Sequence, residues 1–297
     1  MNKNQIAFLG LGVMGAPMTI NLAKNGYNIK AWNRTEKRPS TQLVKEKGIT
    51  VTATIAEAVA DAEIIFTCLG DVPDVEEVIF NRGGITENAP AKSLIVDFST
   101  IGSQGAKNIA QGLQEKGFRF LDAPISGGDI GAQNGTLTVM VGGKETDFQQ
   151  CLPYFQAVGK NIVYCGDTGS GQAVKLCNQV LVSLYMVGIC EALQLAKTQN
   201  INPQLVVDVC GTGAAASWAL SNLAPKIIAE DYQPGFMIQH ILKDLRLVAE
   251  ISGDDVSSLG TKLARQLFQK AGELNDGQGL QEGTQAMMKA YLTDVTH

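Results

Sequence analysis

The sequence predicts an N-terminal α/β domain with a doubly wound, mainly parallel sheet, followed by an all-α C-terminal domain. In the first half of the chain, short runs of branched and aromatic residues alternate with amphipathic stretches of helical spacing. This alternation is typical of a parallel sheet whose strands are joined by helices. After Gly169 the alternation ends, and helical spacing continues between turn residues. We therefore predict domains of residues 1–165 and 166–297.

Each strand of the first domain is predicted from an apolar run, and each helix from an amphipathic stretch. The strands cover residues 6–9, 28–32, 64–68, 94–98 and 118–121, and two more at 137–141 and 161–164 extend the sheet. The helices cover residues 14–25, 37–47, 55–60, 75–80 and 102–116.

The second domain is predicted to open with a long helix that starts near residue 170 and ends near residue 198. Further helices are separated by turns at residues 200–203, 211–213, 234–235 and 252–255. The most apolar part of the long helix, residues 180–190, is too short to span a bilayer, so no membrane association is expected. The apolar faces at residues 180–184 and 193–195 predict a homo-oligomer, either a dimer or a tetramer.

The composition excludes several classes of protein. Hydrophobic residues make up 45% and charged residues 18%, which is a globular balance. The net charge of −5 and the absence of a basic run argue against nucleic-acid binding. The six cysteines form no C-x-x-C pair, there are only two histidines, and no apolar leader precedes the first strand. We expect a cytoplasmic protein without a structural metal.

A glycine-rich turn follows the first predicted strand and precedes the first helix. Its residues are Gly10, Leu11, Gly12, Val13, Met14 and Gly15. The first glycine allows the tight turn, the second lets the backbone approach a pyrophosphate, and the third allows close helix packing. In a strand–turn–helix context, this Gly-x-Gly-x-x-Gly pattern predicts a Rossmann-type dinucleotide site.

The residues after the second strand indicate which dinucleotide is bound. An acidic residue there would bond the ribose 2′-hydroxyl of NAD, but this chain has Asn33, Arg34 and Thr35. The Arg34 guanidinium can pair with a 2′-phosphate and lie flat on the adenine. NADP(H) is therefore the predicted cofactor, with NAD(H) as the alternative.

Two later segments carry polar residues that a core would not need. Ser126, Gly127 and Gly128 follow a strand and can present a hydroxyl and two amides to a carboxylate, which predicts a small carboxylate-bearing substrate. The long helix opens after a glycine-rich stretch and carries Lys175 and Asn178 on one face. The positive end of a helix disfavours the charged form of a lysine, and this suits proton exchange with an alcohol.

With these motifs the sequence resembles the β-hydroxyacid dehydrogenase family, which includes 3-hydroxyisobutyrate dehydrogenases and glyoxylate/succinic semialdehyde reductases. The resemblance rests on residues 8–22, on the Asp-Ala-Pro-Ile-Ser-Gly-Gly segment at 122–128, on the segment from Gly166 to Asn178, and on Lys243-Asp244. It covers nearly the whole chain, from Ile6 to about Leu292. At Ile125 many relatives have valine, which changes none of the expectations.

The resemblance implies roles for the matching residues. Lys175 would be the general acid and base, and Asn178 would hold the substrate or Lys175. Substrate contacts are implied for Ser126, Gly127, Gly128, Phe236 and Asp244. Contacts with the cofactor are implied for Cys68, Leu69, Thr100 and Lys243.

Several alternatives remain at this point. The Asn33-Arg34-Thr35 segment favours the glyoxylate/succinic semialdehyde reductase branch over an NAD-dependent 3-hydroxyisobutyrate or 3-hydroxybutyrate dehydrogenase. A 6-phosphogluconate dehydrogenase needs a larger helical domain, and imine reductases lack the lysine at position 175. From a different class, a non-catalytic NADPH-binding sensor would share the glycine turn. On sequence alone, Asn178 can also be a helix-capping or bridging residue, and Lys243-Asp244 a solvated charge cluster.

Overall fold

The computed structural model describes residues 5–252 and 258–292. The chain divides into two compact units, Met1–Lys175 and Leu176–His297. This division falls inside the long helix, later in the chain than residue 165. Residues 253–255 of the predicted turn lie outside the described residues.

Nine strands form one sheet in the first unit, counted over the described part of the chain. They are β1 (Gln5–Leu9), β2 (Asn28–Trp32), β3 (Thr50–Val51), β4 (Ile64–Thr67), β5 (Leu94–Asp97), β6 (Arg119–Asp122), β7 (Ile125–Ser126), β8 (Leu137–Gly143) and β9 (Gly159–Gly166). Every predicted strand is present. The two that were not predicted, β3 and β7, have two residues each and are too short to show a strand pattern.

The strand order is β3-β2-β1-β4-β5-β6-β8-β7, and β9 pairs with β8. All neighbours from β3 to β6 are parallel, whereas β8 runs antiparallel to β6 and β7. The chain passes from β3 at one edge back to β4 beside β1, so the strand order reverses between β1 and β4. This confirms the doubly wound sheet, in which ligands bind at the carboxyl ends of strands beside such a reversal.

Helices connect the strands. They are α1 (Gly15–Lys24), α2 (Pro39–Glu46), α3 (Ile55–Val59), α4 (Val72–Phe80), α5 (Ile85–Asn88), α6 (Gly102–Glu115), α7 (Gly128–Asn134) and α8 (Glu145–Val158). Helix α4 begins earlier than predicted because Asp71 caps its N-terminus and Pro73 lies in its first turn. Helices α5, α7 and α8 were not predicted. Helix α8 contains Pro153, which normally interrupts a helix.

The sheet is buried on both faces. In β1, Phe8 belongs to one apolar cluster and Leu9 to another. Successive strand residues point to opposite faces, so a strand covered on both sides must be apolar throughout. The rings of Phe8, Phe66 and Phe98 stack with centroids 5.6–6.2 Å apart, which fixes β1, β4 and the end of β5 against one another.

The second unit is helical. The long helix α9 (Ser170–Thr198) begins in the first unit, and α10 (Pro203–Cys210), α11 (Trp218–Asn222), α12 (Ala224–Ile228), α13 (Ile238–Ser252), α14 (Leu259–Glu273) and α15 (Met288–Leu292) follow. Within the described residues of this unit, β-pairing is limited to an isolated bridge between Met237 and Gly283. The all-helical C-terminal part is thereby confirmed.

Helix α9 supplies much of the core of the second unit. Its residues Met186, Cys190 and Leu193 are buried in one cluster with Leu245 of α13 and Phe268 of α14. By length and composition α9 could also cross a membrane. In this structure, however, several of its apolar residues are buried in the core of the second unit.

Candidate active site

Most of the predicted cofactor residues lie where the parallel strands end. The glycine turn follows β1, residues 33–35 follow β2, Cys68 and Leu69 follow β4, and Thr100 lies shortly after β5. Because the carboxyl ends of parallel strands share one edge of the sheet, these segments meet at the reversal between β1 and β4.

The three glycines of the turn meet different surroundings. Gly10 has φ +100°, and a β-carbon there would collide with the carbonyl oxygen of Cys68. A β-carbon on Gly15 would collide with the carbonyl oxygen of Gly10. On Gly12 it would meet only the Arg38 guanidinium, at 3.7 Å. The outer glycines are therefore needed for packing, while the middle one leaves its face open.

Asn33 braces this turn. The backbone amide of Leu11 donates to Asn33 Oδ1 at 2.8 Å, and Asn33 Nδ2 donates to the carbonyl oxygen of Thr35, also at 2.8 Å. The Ser40 hydroxyl donates to the carbonyl oxygen of Leu11. The side chain of Asn33 is thus used within the protein, and its contact with a cofactor stays a prediction.

Arg34 is exposed at the end of β2 and pairs with two carboxylates of α4. Its Nη1 lies 2.9 Å from Asp74 Oδ1 and 3.4 Å from Glu77 Oε2. The Arg38 guanidinium lies closer to the open face of Gly12, and the sequence analysis did not single it out. Arg38 is therefore the guanidinium beside the turn, and Arg34 is already paired with carboxylates.

A buried network joins the ends of β4 and β5. The Thr67 hydroxyl donates to Asp97 Oδ1 at 2.7 Å, and the Ser99 hydroxyl donates to the same oxygen at 2.6 Å. Ser99 Oγ in turn accepts from the amide of Leu69 at 2.8 Å. Burial raises the pKa of Asp97 to about 6, although the hydrogen bonds from Ser99 and Thr67 oppose this shift. The network fixes Leu69 and Ser99, the first residue of the Thr100 segment (residues 99–102).

Asp122, the last residue of β6, caps the long helix. Its carboxylate accepts from the amides of Gly169 at 2.7 Å and Gln172 at 2.9 Å. Burial raises its pKa, and these backbone hydrogen bonds lower it. A β-carbon on Gly142 or Gly171 would come within 2.8 Å of the carboxylate oxygens, so glycines are required at both positions. A carboxylate at this place also complements the positive end of the helix.

The predicted carboxylate-binding segment ends β7 and begins α7. Gly127 has φ +131° and Gly128 has φ +65°, conformations that residues with a side chain rarely adopt. Gly127 is exposed, and Ser126 is half-buried. The segment therefore presents backbone amides and one hydroxyl without side-chain obstruction.

Lys175 lies in the first turns of α9, three residues after Gln172, and is only 6% exposed. Lysines are almost never this buried unless their charge is balanced or their amine is used. Lys175 is therefore not an ordinary surface lysine.

The remaining predicted residues belong to the second unit. Asn178 Nδ2 donates to Gln179 Oε1 at 2.9 Å, and Gln179 Nε2 donates to Asp244 Oδ2 at 2.6 Å. Lys243 Nζ lies 2.9 Å from Asp244 Oδ1. Asp244 is buried, so the Lys243-Asp244 pair is not a solvated charge cluster. Phe236 lies half-buried against the core of this unit.

The residues of the first unit fit a dinucleotide. Gly12 leaves room for a backbone approach, the amides at the start of α1 are available to phosphates, and Val13 is 54% exposed although it is apolar. Met14 lies half-buried just before α1. Within residues 5–252 and 258–292, no group of three or more His, Cys, Asp or Glu side chains could hold a metal ion.

Comparison with known families agrees with this geometry. Residues 5–166 match the NAD binding domain of 6-phosphogluconate dehydrogenase. Residues 169–291 match the NAD-binding domain of NADP-dependent 3-hydroxyisobutyrate dehydrogenase. The chain belongs to the β-hydroxyacid dehydrogenase family. It is therefore an NAD(P)-dependent oxidoreductase that acts on hydroxyl groups, and the resemblance inferred from the sequence motifs is confirmed.

Individual family members cover nearly the same length. An uncharacterized oxidoreductase of Synechocystis sp. is 51% identical over 98% of this chain and 99% of its own. The 2-hydroxy-3-oxopropionate reductase of Escherichia coli is 37% identical over 83% of each chain. The structure of a Mycobacterium tuberculosis 3-hydroxyisobutyrate dehydrogenase with L-serine superposes with a TM-score of 0.84, at 27% identity, over 97% of this chain and 99% of that one.

Four residues that organise this dehydrogenase site were given no individual function in the sequence analysis. Asp97, Ser99, Asp122 and Gln172 bond to groups at least 30 residues away along the chain, and local spacing does not reveal such bonds. The glycines before Lys175 did indicate this contact in the sequence. Asp122 lies so close to Gly171 that a side chain at position 171 would not fit.

Proposed function

We propose that this family member is an NADP(H)-dependent reductase of a small aldehyde acid, of the glyoxylate or succinic semialdehyde type, with Lys175 as general acid and base. The proposal is carried by the anchoring of Lys175. Asp122 begins the segment that leads to Ser126, and the same carboxylate caps the first turn of α9 at Gln172. A buried amine is thereby fixed one turn further along, in the same unit as a segment suited to a carboxylate.

The chemistry follows from these placements. When bound, the nicotinamide supplies the hydride that adds to the substrate carbonyl carbon, or takes it back from the alcohol. The Lys175 ammonium stabilises the negative charge that develops on the carbonyl oxygen and donates the proton that completes the hydroxyl group. In oxidation the neutral amine takes this proton. The amides at Gly127 and Gly128 and the Ser126 hydroxyl bind the substrate carboxylate and so orient the carbonyl.

Arg34 and Arg38 are the proposed ligands of the 2′-phosphate. A charge-assisted hydrogen bond contributes about 1.5–3 kcal/mol. Releasing Arg34 from Asp74 and Glu77 costs at most about 1 kcal/mol, since this pair is exposed. The difference of about 0.5–2 kcal/mol favours NADPH over NADH by about 2- to 30-fold.

A second candidate is an NAD-dependent 3-hydroxyisobutyrate or 3-hydroxybutyrate dehydrogenase. It is favoured by Asp74 and Glu77, whose carboxylates oppose a phosphate beside Arg34. The ratio of kcat/KM with NADPH to that with NADH decides between the two. Arg34→Ala should erase most of the preference for NADPH, whereas Arg82→Ala, which removes another exposed arginine, should not. Equal use of both cofactors by the unmodified enzyme would favour the second candidate.

The substrate class is tested with aldehydes that differ only in the carboxylate. Succinic semialdehyde and glyoxylate should be reduced with NADPH, while butanal, which has the carbon chain of succinic semialdehyde without its carboxylate, should react poorly. Oxidation of 3-hydroxyisobutyrate and 3-hydroxybutyrate completes the panel. Efficient reduction of butanal would contradict the role of Ser126, Gly127 and Gly128. No turnover of any of these compounds would favour a non-catalytic NADPH-binding sensor.

Lys175→Ala should lower kcat roughly 10²–10⁴-fold while cofactor affinity changes little. Lys175→Arg should lower it nearly as much, because guanidinium does not give up its proton. Lys160→Ala, at an exposed position of the same unit, is the control. A Lys175→Ala enzyme that keeps more than about a tenth of its kcat would remove Lys175 from the mechanism.

We further propose that the enzyme is a homo-oligomer. Large apolar side chains on α9 are exposed, namely those of Val174, Leu181, Tyr185 and Leu195. A stripe of this kind, on a helix whose opposite side contributes to a core, is typical of a surface covered by a second subunit. Sedimentation should therefore give at least twice the mass of one chain, and a monomer at micromolar concentration would contradict this.

A further inference from the structure

Gln172 is a fully buried polar side chain outside the residues with a proposed chemical role. It is 0% exposed and lies on the first turn of α9. Its Oε1 accepts hydrogen bonds from the backbone amides of Ile101 at 3.0 Å and Gly102 at 3.1 Å. Its Nε2 donates to the carbonyl oxygen of Ser99 at 2.8 Å. One side chain therefore bonds three backbone groups on both sides of Thr100.

The backbone amides that follow Thr100 need a hydrogen-bond acceptor from elsewhere in the protein. The Thr100 segment connects β5 to α6, and the first amides of a helix have no acceptor within the helix. The side chain of Ile101, which occupies the capping position before α6, makes no cap hydrogen bond, and Gly102 has φ +72°. The acceptor comes instead from Gln172, about 70 residues further along the chain.

Gln172 is also hydrogen-bonded through its backbone to Asp122, at the end of β6. Its backbone amide donates to Asp122 Oδ2, so its position is fixed by β6 as well as by α9. Lys175 lies three residues further on, and residues at this spacing share one side of a helix. The Thr100 segment and the turn that bears Lys175 are thus joined through a single side chain.

We infer that Gln172 is a positioning residue of the reaction, because it sets the Thr100 segment, on the nicotinamide side, against the helical turn that carries Lys175. This inference rests on the proposed function of Lys175 in proton transfer. Hydride and proton must reach adjacent atoms of one carbonyl group, so a small displacement between these two elements reduces the rate. Gln172 itself touches neither the substrate nor the cofactor in this role.

Gln172→Met keeps the length of the side chain and removes its hydrogen bonds. With succinic semialdehyde and NADPH, we expect kcat to fall about tenfold or more, because misplacement of reacting groups by about 1 Å costs up to two orders of magnitude. The dissociation constant for NADPH should stay within about threefold, since the glycine turn is unchanged. The kinetic isotope effect with NADPH deuterated at the transferred position should rise. Gln111→Met, the same change at an exposed position of α6, is the control.

A loss of folded protein would lower the active fraction but leave the isotope effect unchanged. Wild-type isotope effects in Gln172→Met, with activity lost only in proportion to unfolding, would therefore overturn the inference. If that variant does not fold, Gln172→Glu decides, because it keeps the acceptor for Ile101 and Gly102 and loses the amide donor. A smaller fall in kcat with a raised isotope effect supports the inference, and wild-type values overturn it.

A double-mutant cycle with Lys175→Ala separates this inference from the proposed function. If Gln172 acts through the placement of Lys175, Gln172→Met should lower kcat much less in the Lys175→Ala background than in the wild type. Fully multiplicative losses would overturn the inference. A small effect of Lys175→Ala alone would instead contradict the proposed function.

Discussion

Replacing Asp97 by Asn should change how the stability of the first unit depends on pH. Asp97 lies at the end of β5 with no exposed surface, and its Oδ2 has no hydrogen-bond partner among the described residues. Burial raises its pKa from the ordinary value of 3.8 to about 6, against the lowering effect of the bonds from Ser99 and Thr67. Asn has nearly the same shape and cannot ionise.

The sign follows from proton binding. Between its unfolded and folded pKa values, Asp97 holds more protons in the folded state, so the free energy of unfolding decreases as pH rises through this range. The pKa of Asp97 is about two units higher in the folded than in the unfolded state, which lowers the free energy of unfolding by about 3 kcal/mol at neutral pH. About 2 kcal/mol of this is lost between about pH 4.5 and pH 7. Between about pH 4.5 and pH 7, the free energy of unfolding of Asp97→Asn should therefore rise by about 2 kcal/mol relative to that of the wild type.

The chain offers a clean assay, because its two tryptophans lie in different units. In a Trp218→Phe background, urea unfolding followed by the fluorescence of Trp32 reports on the first unit. The urea midpoint of Asp97→Asn relative to the background should rise by about 1 M between about pH 4.5 and pH 7. Asp167→Asn removes an exposed carboxylate and serves as the control. A pH-independent difference between Asp97→Asn and the background would refute the reasoning.

Two further predictions concern packing and a buried bond. Gly12→Ala should fold normally but bind NADPH more weakly, which calorimetric titration measures. Gly15→Ala should destabilise the first unit by about 1–3 kcal/mol in thermal unfolding, because a β-carbon has no room there. Equal stability of the two variants would contradict this prediction. Gln179→Leu should destabilise the second unit by about 1–3 kcal/mol, since buried Asp244 loses a donor. The fluorescence of Trp218 during unfolding measures this loss, and an unchanged midpoint would argue that the bond contributes nothing.

The sheet could be predicted because both of its faces are covered. A strand such as β4 (Ile64–Thr67) is buried at every position, so it stands out from its amphipathic neighbours as a short apolar run. The two-residue strands β3 and β7 and the proline-containing helix α8 were missed for the converse reason, since their sequences carry no sustained periodicity. The predicted residues 6–9 and 94–98 differ from the observed strands by a single residue.

The candidate site could be predicted only where its residues form local motifs. The glycine turn is such a motif, because each of its glycines has a reason within a few residues of chain or at the neighbouring strand. The bonds from Gln172 to the Thr100 segment and from Asp122 to the start of α9 join residues about 50 to 70 positions apart. Asn33 shows a further gap, since the sequence placed it near the cofactor but could not reveal its bond to Leu11.

These long-range bonds explain why Lys175 can be both buried and well placed. The division between the two compact units falls directly after Lys175. The glycine turn, the Thr100 segment, the Ser126 segment and the first turn of α9 consequently belong to one unit, and Asp122 and Gln172 bond the last of these to the sheet and to the Thr100 segment. The proposed proton donor is therefore held by the same framework as the proposed nicotinamide site.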